Sequence, residues 1–426
     1  MSLPTTLVAW LQHLEVRNCE AIVLGLERVA EVRDRLGLHP QFPLIAVGGT
    51  NGKGSVCAYL ESILLASGYR VGCYTSPHLL RYNERVRLDQ HEATDAALCE
   101  ALSAVEAVRG DIPLTYFEQG TLAAMWLFQR AGVDVAVLEV GLGGRLDAVN
   151  SWDADCAVVT SVDLDHQQFL GDTREAIGFE KAGIFRAGKP AICGDAQPPA
   201  SLLAHVNHLG AELLCLGAEI RVELGSVGEV GWTCRVGKGG ETQTYPALPA
   251  LAMPGRHQYA NAASAIAALG ALRSRLPVSM NALRSGLATA RQPGRFQIIG
   301  RQPLQILDVA HNPHAARSLA ANLADLPPGG RVIAVCAILA DKDVAAIVQI
   351  MKPYVQIWHA AGLDMPRGLH ASGLADILFG AGCVSVQHAS VQEAWRAACV
   401  EAKPADTILA FGSFHTVAAV LEATND

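Results

Sequence analysis

Short apolar runs alternate with longer helical stretches along most of the chain. This alternation is typical of a parallel β-sheet whose strands are joined by helices. In the first part of the chain the pattern predicts strands at 43–48, 69–75, 133–140, 156–162 and 190–193, and helices at 54–67, 92–108, 118–131, 172–186 and 258–273. Residues 213–250 alternate more and contain more Gly and Thr, which predicts a small β excursion.

A second series of strands and helices follows a break at residues 291–295, where a Pro-Gly pair interrupts the pattern. Beyond the break, the pattern predicts strands at 304–310, 331–337, 355–360 and 407–412, and helices at 314–324, 343–352, 390–400 and 414–422. We therefore expect an α/β protein with an N-terminal domain at 1–290, a linker at 291–297 and a smaller, Rossmann-like C-terminal domain at 298–426. Ligands bind beyond the carboxyl ends of strands in such sheets, so polar residues there are the candidates for chemistry.

The first strand runs into a glycine-rich loop, Gly48-Gly49-Thr50-Asn51-Gly52-Lys53-Gly54-Ser55, and then into a helix. Such a loop directs backbone N–H groups and a helix N-terminus at an anion, and the lysine adds a positive charge. The strict P-loop pattern fails twice, because Val47 replaces its first glycine and Gly54 replaces the hydroxyl residue that reaches Mg²⁺. We predict an N-terminal P-loop ATPase domain whose metal ligands come from elsewhere; a plain glycine turn is the alternative.

Composition narrows the function classes. The net charge of −8 over 426 residues argues against bulk nucleic-acid binding. The mean hydropathy of +0.24 indicates a large packed core. Eleven cysteines without a CxxC pair signal neither a zinc site nor a disulfide framework, and they fit a reducing cytoplasm. We expect no signal peptide, because the first residues lack a basic region followed by an apolar one, and no apolar run approaches the ~18 residues of a membrane span.

Polar clusters follow three of the predicted strands. Glu139 closes an apolar strand, where a lone carboxylate is costly unless it binds a metal or forms a buried salt bridge. Ser76 offers the hydroxyl that is missing after Lys53, and His166 follows two aspartates at another strand end. A histidine in such a place is also compatible with a hydrogen-bonded core residue. The arginines that follow Ser76 are compatible with a solvated face; they are Arg81, Arg85 and Arg87.

Three further motifs each give only modest evidence of function when taken alone. Lys181 lies late in a helix, where a lysine commonly interacts with the terminal carbonyls or with its neighbour Glu180. Asn261 begins an alanine-rich helix, as a cap or as a ligand contact. Asp308 and His311 follow a strand in the second domain, and Pro313 is placed to open the next helix.

The motifs occur together, in order and from end to end. They are Gly49-Thr50-Asn51-Gly52-Lys53-Gly54, Ser76-Pro77-His78, the run 139–147 (EVGLGGRLD), Asp165-His166, Glu180-Lys181-Ala182-Gly183-Ile184, Pro293-Gly294-Arg295, the run 308–313 (DVAHNP) and Gly412-Ser413-Phe414-His415. In this combination the chain closely resembles the folylpolyglutamate synthase/dihydrofolate synthase family of the Mur ligase superfamily. The departure from the strict P-loop pattern fits, because this superfamily uses a GTNGK-type loop.

The resemblance implies a role for particular residues. It implies ATP binding by Thr50, Asn51, Gly52, Lys53, Gly54, Ser55, Asn261, Arg295 and Asp308. It implies that two Mg²⁺ ions are bound, with Ser76, Glu139, His166 and a carbamylated Lys181 as the ligands. It implies a pterin pocket at Thr115, Tyr116, Phe117, Glu118, Leu146, Asp147 and Ala148, with Phe117 stacked on the ring and Asp147 accepting hydrogen bonds. His311 is expected near the reacting groups, and Lys53, Lys181 and His311 form the catalytic set. The segment 25–29 also resembles the family near the pterin site, without an assigned role.

We therefore expect an ATP-dependent amide ligase that adds L-glutamate to dihydropteroate and to the γ-carboxylate of tetrahydrofolate through an acyl phosphate. The expected cofactors are Mg²⁺ and a monovalent cation such as K⁺, and the expected state is a monomer without nucleic-acid or membrane partners. One alternative is a peptidoglycan-precursor or cyanophycin ligase of the same superfamily, against which Phe117 and Asp147 argue. The other is a P-loop phosphotransferase or GTPase-like switch, which leaves Lys181 and the second domain without a role.

Overall fold

A computed structural model describes residues 3–17, 23–225, 231–237 and 241–425. The chain divides into two compact units. The first comprises residues 1–252 and 259–291, and the second comprises residues 253–258 and 292–426.

The first unit is built on a mainly parallel sheet with the strand order β4-β3-β2-β5-β1-β6-β7-β8 among its described residues. Its strands are β1 Leu44–Gly48, β2 Val71–Tyr74, β3 Val86–Leu88, β4 His91–Glu92, β5 Val135–Glu139, β6 Cys156–Val159, β7 Pro190–Cys193 and β8 Glu212–Cys215. Its helices are α1 Leu7–Arg17, α2 Glu27–Arg35, α3 Lys53–Ala66, α4 Asp95–Arg109, α5 Tyr116–Ala131, α6 Gln167–Leu170, α7 Arg174–Ala182, α8 Ala200–Leu209, α9 Arg256–Ala271 (its first three residues group with the second unit) and α10 Met280–Thr289.

The central strands explain why the sequence predicts this sheet well. β1, β5 and β6 are buried along their whole length, as expected for strands covered by helices on both faces. β1 pairs in parallel with both β5 and β6, so the polar residues that follow these three strands lie at one edge of the sheet. The predicted α/β fold with a parallel sheet is confirmed, with an antiparallel β3–β4 extension beyond β2.

The predicted β excursion is a separate three-stranded antiparallel sheet. It consists of β9 Ile220–Leu224, β10 Trp232–Val236 and β11 Gln243–Leu248, in the order β11-β10-β9. The excursion begins later than residue 213, because β8 pairs in parallel with β7 and belongs to the large sheet. Parts of the predicted range, residues 226–230 and 238–240, lie outside the described residues.

The second unit holds a sheet with the order β12-β13-β17-β14-β15-β16. Its strands are β12 Gln297–Arg301, β13 Leu304–Asp308, β14 Val332–Cys336, β15 Ile357–Ala361, β16 Ser385–His388 and β17 Thr407–Phe411. Its helices are α11 Pro313–Ala324, α12 Val344–Met351, α13 Ala371–Gly380, α14 Val391–Glu401 and α15 Phe414–Asn425. All pairs are parallel except β12 with β13, and this unit has a hydrophobic core of its own.

Within the described ranges, the helices are too short or too polar to cross a membrane.

Candidate active site

The glycine-rich loop joins β1 to α3, as predicted. Gly52 precedes the helix with φ +88°, a left-handed conformation that favours glycine. A Cβ atom on Gly52 would lie 2.5 Å from Asn261 Oδ1, and one on Gly49 would lie 1.9 Å from Thr160 Oγ1. The loop is therefore packed tightly from two sides, and larger residues do not fit at either glycine.

The end of β6 fixes the shape of this loop. The Thr160 hydroxyl donates to Asn51 O at 2.6 Å. Thr50 Oγ1 donates to Asp163 O and accepts from Asp163 N, both at 3.0 Å. The side chain of Thr50 thus braces the loop, which is a structural role that the motif alone did not reveal.

The helix N-terminus lies directly behind the loop. The first helical hydrogen bond runs from Val56 N to Gly52 O at 3.0 Å, so residues 53–55 form the positive end of the α3 dipole. The Lys53 ammonium donates to Gly49 O at 3.1 Å and to Thr50 O at 3.3 Å. Lys53 therefore lies over the loop, with its charge at the helix N-terminus, which is a suitable arrangement for phosphate.

A buried carboxylate stands beside the loop that follows β2. Glu139 ends β5 and is only 4% exposed, and its Oε2 accepts a hydrogen bond from Ser76 N at 3.1 Å. This contact brings together two of the residues predicted to bind metal. His166 is the third of these residues. It precedes the short helix α6 with φ +51°, and its backbone N–H donates to Asp165 Oδ1 at 2.9 Å.

In the described ranges, no three His, Cys, Asp or Glu side chains gather into a metal-binding cluster. The predicted set of Ser76, Glu139, His166 and Lys181 contains two such residues, so it depends on a hydroxyl and a modified lysine. Its ligand role stays a prediction.

Lys181 lies on the last turn of α7 and is 4% exposed. Burial, together with the positive charge of Lys53, lowers the pKa of its ammonium to about 7. Asp165 and Asp147 act on this pKa in the opposite direction. Lys181 is therefore close enough to the nucleotide loop, to the residues after β6 and to Asp147 for their charges to interact.

Glu180, the neighbour considered as a partner for Lys181, binds another residue. Its Oε1 accepts from Arg145 Nη2 at 2.8 Å and from Arg145 Nε at 3.1 Å. The backbone of Arg145 also donates to Glu180 O at 2.8 Å. These contacts dock the 141–147 loop against the end of α7, which carries Lys181.

Two glycines permit this docking. A Cβ atom on Gly144 would lie 2.9 Å from Glu180 O and 3.1 Å from Lys181 O. A Cβ atom on Gly183 would lie 2.4 Å from the Cβ of Arg145. The repeated glycines of these motifs thus serve close packing between a loop and a helix.

Asp147 follows this loop and is 5% exposed. Its Oδ2 accepts from Leu142 N at 2.9 Å and its Oδ1 accepts from Val149 N at 3.0 Å. Burial raises the pKa of the carboxyl to about 6, although these backbone donors act in the opposite direction. The carboxylate holds its own loop together, and three backbone donors leave one of its about four lone-pair sites for a ligand.

Phe117 faces the same loop from the start of α5. A Cβ atom on Gly141 would lie 2.6 Å from Phe117 Cζ, so the ring lies directly on the Gly141 backbone. The ring centroid of Tyr74 is 5.8 Å from that of Phe117. The structure thus brings the predicted stacking residue to the loop that carries Asp147.

Thr115 and Glu118 are engaged in starting α5. Thr115 Oγ1 accepts from Glu118 N at 3.2 Å, and Glu118 Oε2 accepts from Thr115 N at 2.7 Å, which forms a capping box. Glu118 Oε1 also accepts from Arg28 Nη2 at 2.7 Å. Arg28 belongs to the segment that had no assigned role, and this ion pair attaches it to the helix that presents Phe117.

The three arginines after Ser76 differ from one another, and a solvated face is wrong for two of them. Arg87 forms a buried ion pair with Glu61 at 2.8 Å, because β3 directs its side chain at α3. Arg85 lies against two tyrosine rings. Arg81 is the exposed member and pairs loosely with Asp95 at 3.5 Å.

The second unit places its candidate residues around the end of β13. Asp308 accepts hydrogen bonds from Phe296 N and Ala310 N, both at 2.8 Å. Desolvation raises the pKa of Asp308, and the charge of Arg295 opposes that shift. The Arg295 guanidinium carbon is 5.4 Å from the ring centroid of Phe414.

His311 faces the same ring, with 6.2 Å between centroids. Its Nδ1–H donates to Val309 O at 2.8 Å, which leaves Nε2 as the acceptor nitrogen in the neutral ring. Pro313 opens α11, as predicted, behind Asn312, whose Oδ1 accepts from Ala315 N at 2.9 Å.

Comparison with known proteins identifies relatives over the whole chain. The Mur ligase middle domain matches residues 47–269, and the Mur ligase glutamate ligase domain matches residues 294–414. A dihydrofolate synthase/folylpolyglutamate synthase of Escherichia coli is 49% identical over 98% of this chain and 95% of its own. These matches confirm the family that the motifs predicted.

Solved structures of the same family are also similar to this chain. E. coli FolC in complex with DHPP and ADP has a TM-score of 0.93 and 47% identity, over 99% of this chain and 98% of its own. A bifunctional folylpolyglutamate synthase/dihydrofolate synthase with Mn, AMPPNP and L-glutamate bound has a TM-score of 0.91 and 46% identity, over 99% of this chain and 98% of its own.

Proposed function

We infer that this chain, which belongs to the dihydrofolate synthase/folylpolyglutamate synthase family of Mur ligases, is an ATP-dependent ligase that joins L-glutamate to dihydropteroate. It also adds L-glutamate to the γ-carboxylate of tetrahydrofolate. The observation that supports this most is that the 141–147 loop, which ends at Asp147 and lies against Phe117, docks on the end of α7 that carries Lys181. The charges of Lys53 in the nucleotide loop and of Asp147 both act on the pKa of Lys181. Groups suited to a phosphate and to a pterin are thereby close to one buried lysine.

The nucleotide loop would hold the phosphates of ATP. The N-terminus of α3 and the Lys53 ammonium supply positive charge at one place. Lys53 opposes the negative charge that spreads over the transferring phosphoryl oxygens. Asn261, packed on Gly52, is the further ATP contact proposed in this unit. In the second unit the proposed contacts are Arg295 and Asp308 for ATP and His311 for the reacting groups.

The donors beside the loop fit a divalent cation. Glu139 is a buried carboxylate that accepts a hydrogen bond from the backbone N–H of Ser76, and Ser76 adds a hydroxyl; oxygen donors suit Mg²⁺. Ser76, Glu139, His166 and Lys181 would hold the metal, which when bound neutralises phosphate charge. We include a second Mg²⁺ ion and a K⁺ ion in the proposal, and both are testable by omitting each cation in turn.

Lys181 would contribute as a carbamate. A pKa of about 7 leaves much of its amine neutral under ordinary conditions. The neutral nitrogen attacks CO₂, a C–N bond forms and a proton is released, which converts the group to a carboxylate-like oxygen donor. This change removes the repulsion that an ammonium would exert on a cation.

The ring of Phe117 and the carboxylate of Asp147 would bind the pterin. An aromatic face and a buried acceptor next to it suit a flat bicyclic ring with amino and N–H donors. Thr115 and Glu118 support the pocket through the capping box rather than through free side-chain oxygens. Tyr116, Leu146 and Ala148 complete the proposed pterin set.

The reaction then has two steps. A substrate carboxylate oxygen attacks the γ-phosphorus of ATP, and the bond to the bridging oxygen breaks to release ADP. The neutral amine of L-glutamate attacks the carbonyl carbon of the acyl phosphate, and phosphate leaves as the amide forms. Phosphate is a far better leaving group than oxide, which is why a free carboxylate requires ATP.

A coupled assay of ADP release tests the function. We expect release that requires both glutamate and either dihydropteroate or tetrahydrofolate, with the glutamylated product identified by mass. Glutamate-independent ADP release, or a phosphorylated final product, would favour a P-loop phosphotransferase instead. Turnover with a peptidoglycan precursor, or with a cyanophycin primer, but not with either folate substrate would indicate a different Mur ligase. Light scattering tests the proposed monomer.

A further inference from the structure

Arg85 is held rigidly although no acidic side chain holds it. It ends a single 3₁₀ turn, Tyr82–Arg85, between β2 and β3. Its Nε–H donates to His78 Nδ1 at 2.8 Å. Its guanidinium carbon lies 5.5 Å from the ring centroid of Tyr82 and 5.6 Å from that of Tyr116. One hydrogen bond and two contacts with tyrosine rings therefore hold the guanidinium group in place.

The far end of this guanidinium has no protein acceptor. Among the residues that the structure describes, none accepts a hydrogen bond from Arg85 Nη1 or Nη2, and no carboxylate lies within 4.0 Å of them. The arginines on either side differ, since Arg81 pairs with Asp95 and Arg87 pairs with Glu61. Arg85 thus presents a fixed pair of N–H₂ groups that are available for a ligand.

The surroundings of Arg85 connect the two halves of the proposed site. His78 follows Ser76 by two residues, and Tyr116 immediately precedes Phe117. The charge of Arg85 also acts on the hydroxyl of Tyr74, as does the charge of Asp147. Arg85 therefore stands between the loop proposed to bind metal and the helix start proposed to bind the pterin.

We propose that Arg85 binds a substrate carboxylate through Nη1 and Nη2. This inference rests on the proposed function, in which both the acyl donor and L-glutamate carry a carboxylate. Two N–H₂ groups in one plane match the two oxygens of a carboxylate, which a lysine ammonium does not. Two substrates carry a carboxylate that Arg85 could bind: dihydropteroate, through its benzoate group, and L-glutamate.

The test compares Arg85→Gln and Arg85→Lys with a matched control, Arg81→Gln. Arg81 lies in the same turn but is exposed and already paired. Binding of dihydropteroate, and of its carboxamide analogue, is measured by titration, and the KM for glutamate is measured by ADP release. ATP affinity and the thermal midpoint report whether each variant is intact.

We expect Arg85→Gln to weaken one carboxylate ligand by about 10- to 100-fold, because a hydrogen bond to a charged group is lost. Arg85→Lys should fall between the wild type and Arg85→Gln, and Arg81→Gln should match the wild type. A rise in the dihydropteroate Kd that the carboxamide analogue does not share identifies the benzoate carboxylate. A rise confined to the KM for glutamate identifies the amino acid.

Two results would overturn the inference while leaving the function intact. One is an active Arg85→Gln enzyme with unchanged Kd and KM values. The other is an equal loss for dihydropteroate and its carboxamide analogue, which would show that Arg85 only supports the tyrosines and His78. If the wild type itself shows no glutamate-dependent ADP release, the proposed function fails, and the inference fails with it. Should Arg85→Gln not fold, Arg85→Lys carries the same comparison.

Discussion

Lys181 is the residue whose surroundings differ most from those of an ordinary lysine. We expect Lys181→Ala to lose nearly all ligase activity, since the proposed metal site loses a donor. Acetate should restore part of that activity, because a small carboxylate can occupy the space that the side chain leaves. Steady-state assays with and without acetate measure this, with chloride at equal ionic strength as the control. Full activity of Lys181→Ala without acetate would show that the residue is structural.

The pKa of Lys181 also predicts how the enzyme responds to bicarbonate. Its pKa of about 7 in the folded protein lies below the usual lysine pKa of about 10.4, so the neutral amine becomes the main form as pH rises through about 7. Only the neutral amine reacts with CO₂. Activation of bicarbonate-depleted enzyme at fixed CO₂ should therefore increase with pH across this range. Active enzyme equilibrated with ¹³C-bicarbonate that shows no carbamate signal by ¹³C NMR would contradict carbamylation.

Asp147 has two functions at once in this account. Asp147→Ala should weaken dihydropteroate binding by about 10- to 100-fold, as expected when buried donors of the ligand lose their acceptor. Because the pKa of the Asp147 carboxyl is about 6, the carboxylate forms as pH rises through 6. The affinity of the wild-type protein for dihydropteroate should therefore increase over the same range. Titrations with dihydropteroate and with ATP separate the effects. An equal loss of both affinities would mean that Asp147 only braces the 141–147 loop.

At the residue scale, the sequence predicted which residues belong to the candidate site but not the contacts that hold them there. Motif order led to Lys181, Asp147 and Phe117, and the structure brings them to one region. The capping box of Thr115 with Glu118 was not predicted. The contacts of Arg85 with two tyrosine rings were not predicted either, because they depend on which side chains meet across elements. For the capping box, the local sequence did offer a signal, the Thr-x-x-Glu spacing.

At the scale of elements, the docking of the 141–147 loop on α7 determines where Lys181 lies. Gly144→Ala should destabilise the fold by about 1–3 kcal/mol, because its Cβ would meet two backbone carbonyls of α7. Ligase activity should fall as well, since Lys181 would shift. Gly380→Ala is the matched control, because nothing lies within 4 Å of a Cβ there. Thermal unfolding and turnover that are the same in both variants would contradict the role of close packing.

Elements with strong patterns were predicted and weakly patterned ones were not. The five strands predicted before residue 200 all form, because each is an apolar run bounded by turn residues. The hairpin of β3 and β4 was missed, since its strands are only three and two residues long and partly polar. Helices α1, α2, α6, α8, α10 and α13 were also missed. So were β12 and β16, which are edge strands with polar positions whose pairing depends on the neighbouring strand.

At the scale of the whole molecule, the nucleotide should stabilise the folded protein by mass action. A non-hydrolysable ATP analogue with Mg²⁺ at 100 times its Kd should raise the free energy of unfolding by about 2.7 kcal/mol. Lys53→Ala should fold normally, because the Lys53 ammonium donates hydrogen bonds only to two carbonyls of its own loop. It should lose most of the increase in stability, because the ammonium is proposed to bind the phosphates. Lys189→Ala, which removes a partly exposed lysine paired with Asp155, is the control. Equal stabilisation of Lys53→Ala would contradict phosphate binding by this loop.

The transfer of oxygen from substrate to phosphate tests the central claim most directly. Dihydropteroate labelled with ¹⁸O in its carboxylate is incubated with ATP, Mg²⁺ and L-glutamate, and the released phosphate is analysed by mass spectrometry. An acyl phosphate route moves one carboxylate oxygen into phosphate for each amide formed, so we expect one labelled phosphate per product. Unlabelled phosphate accompanying amide formation would contradict the account.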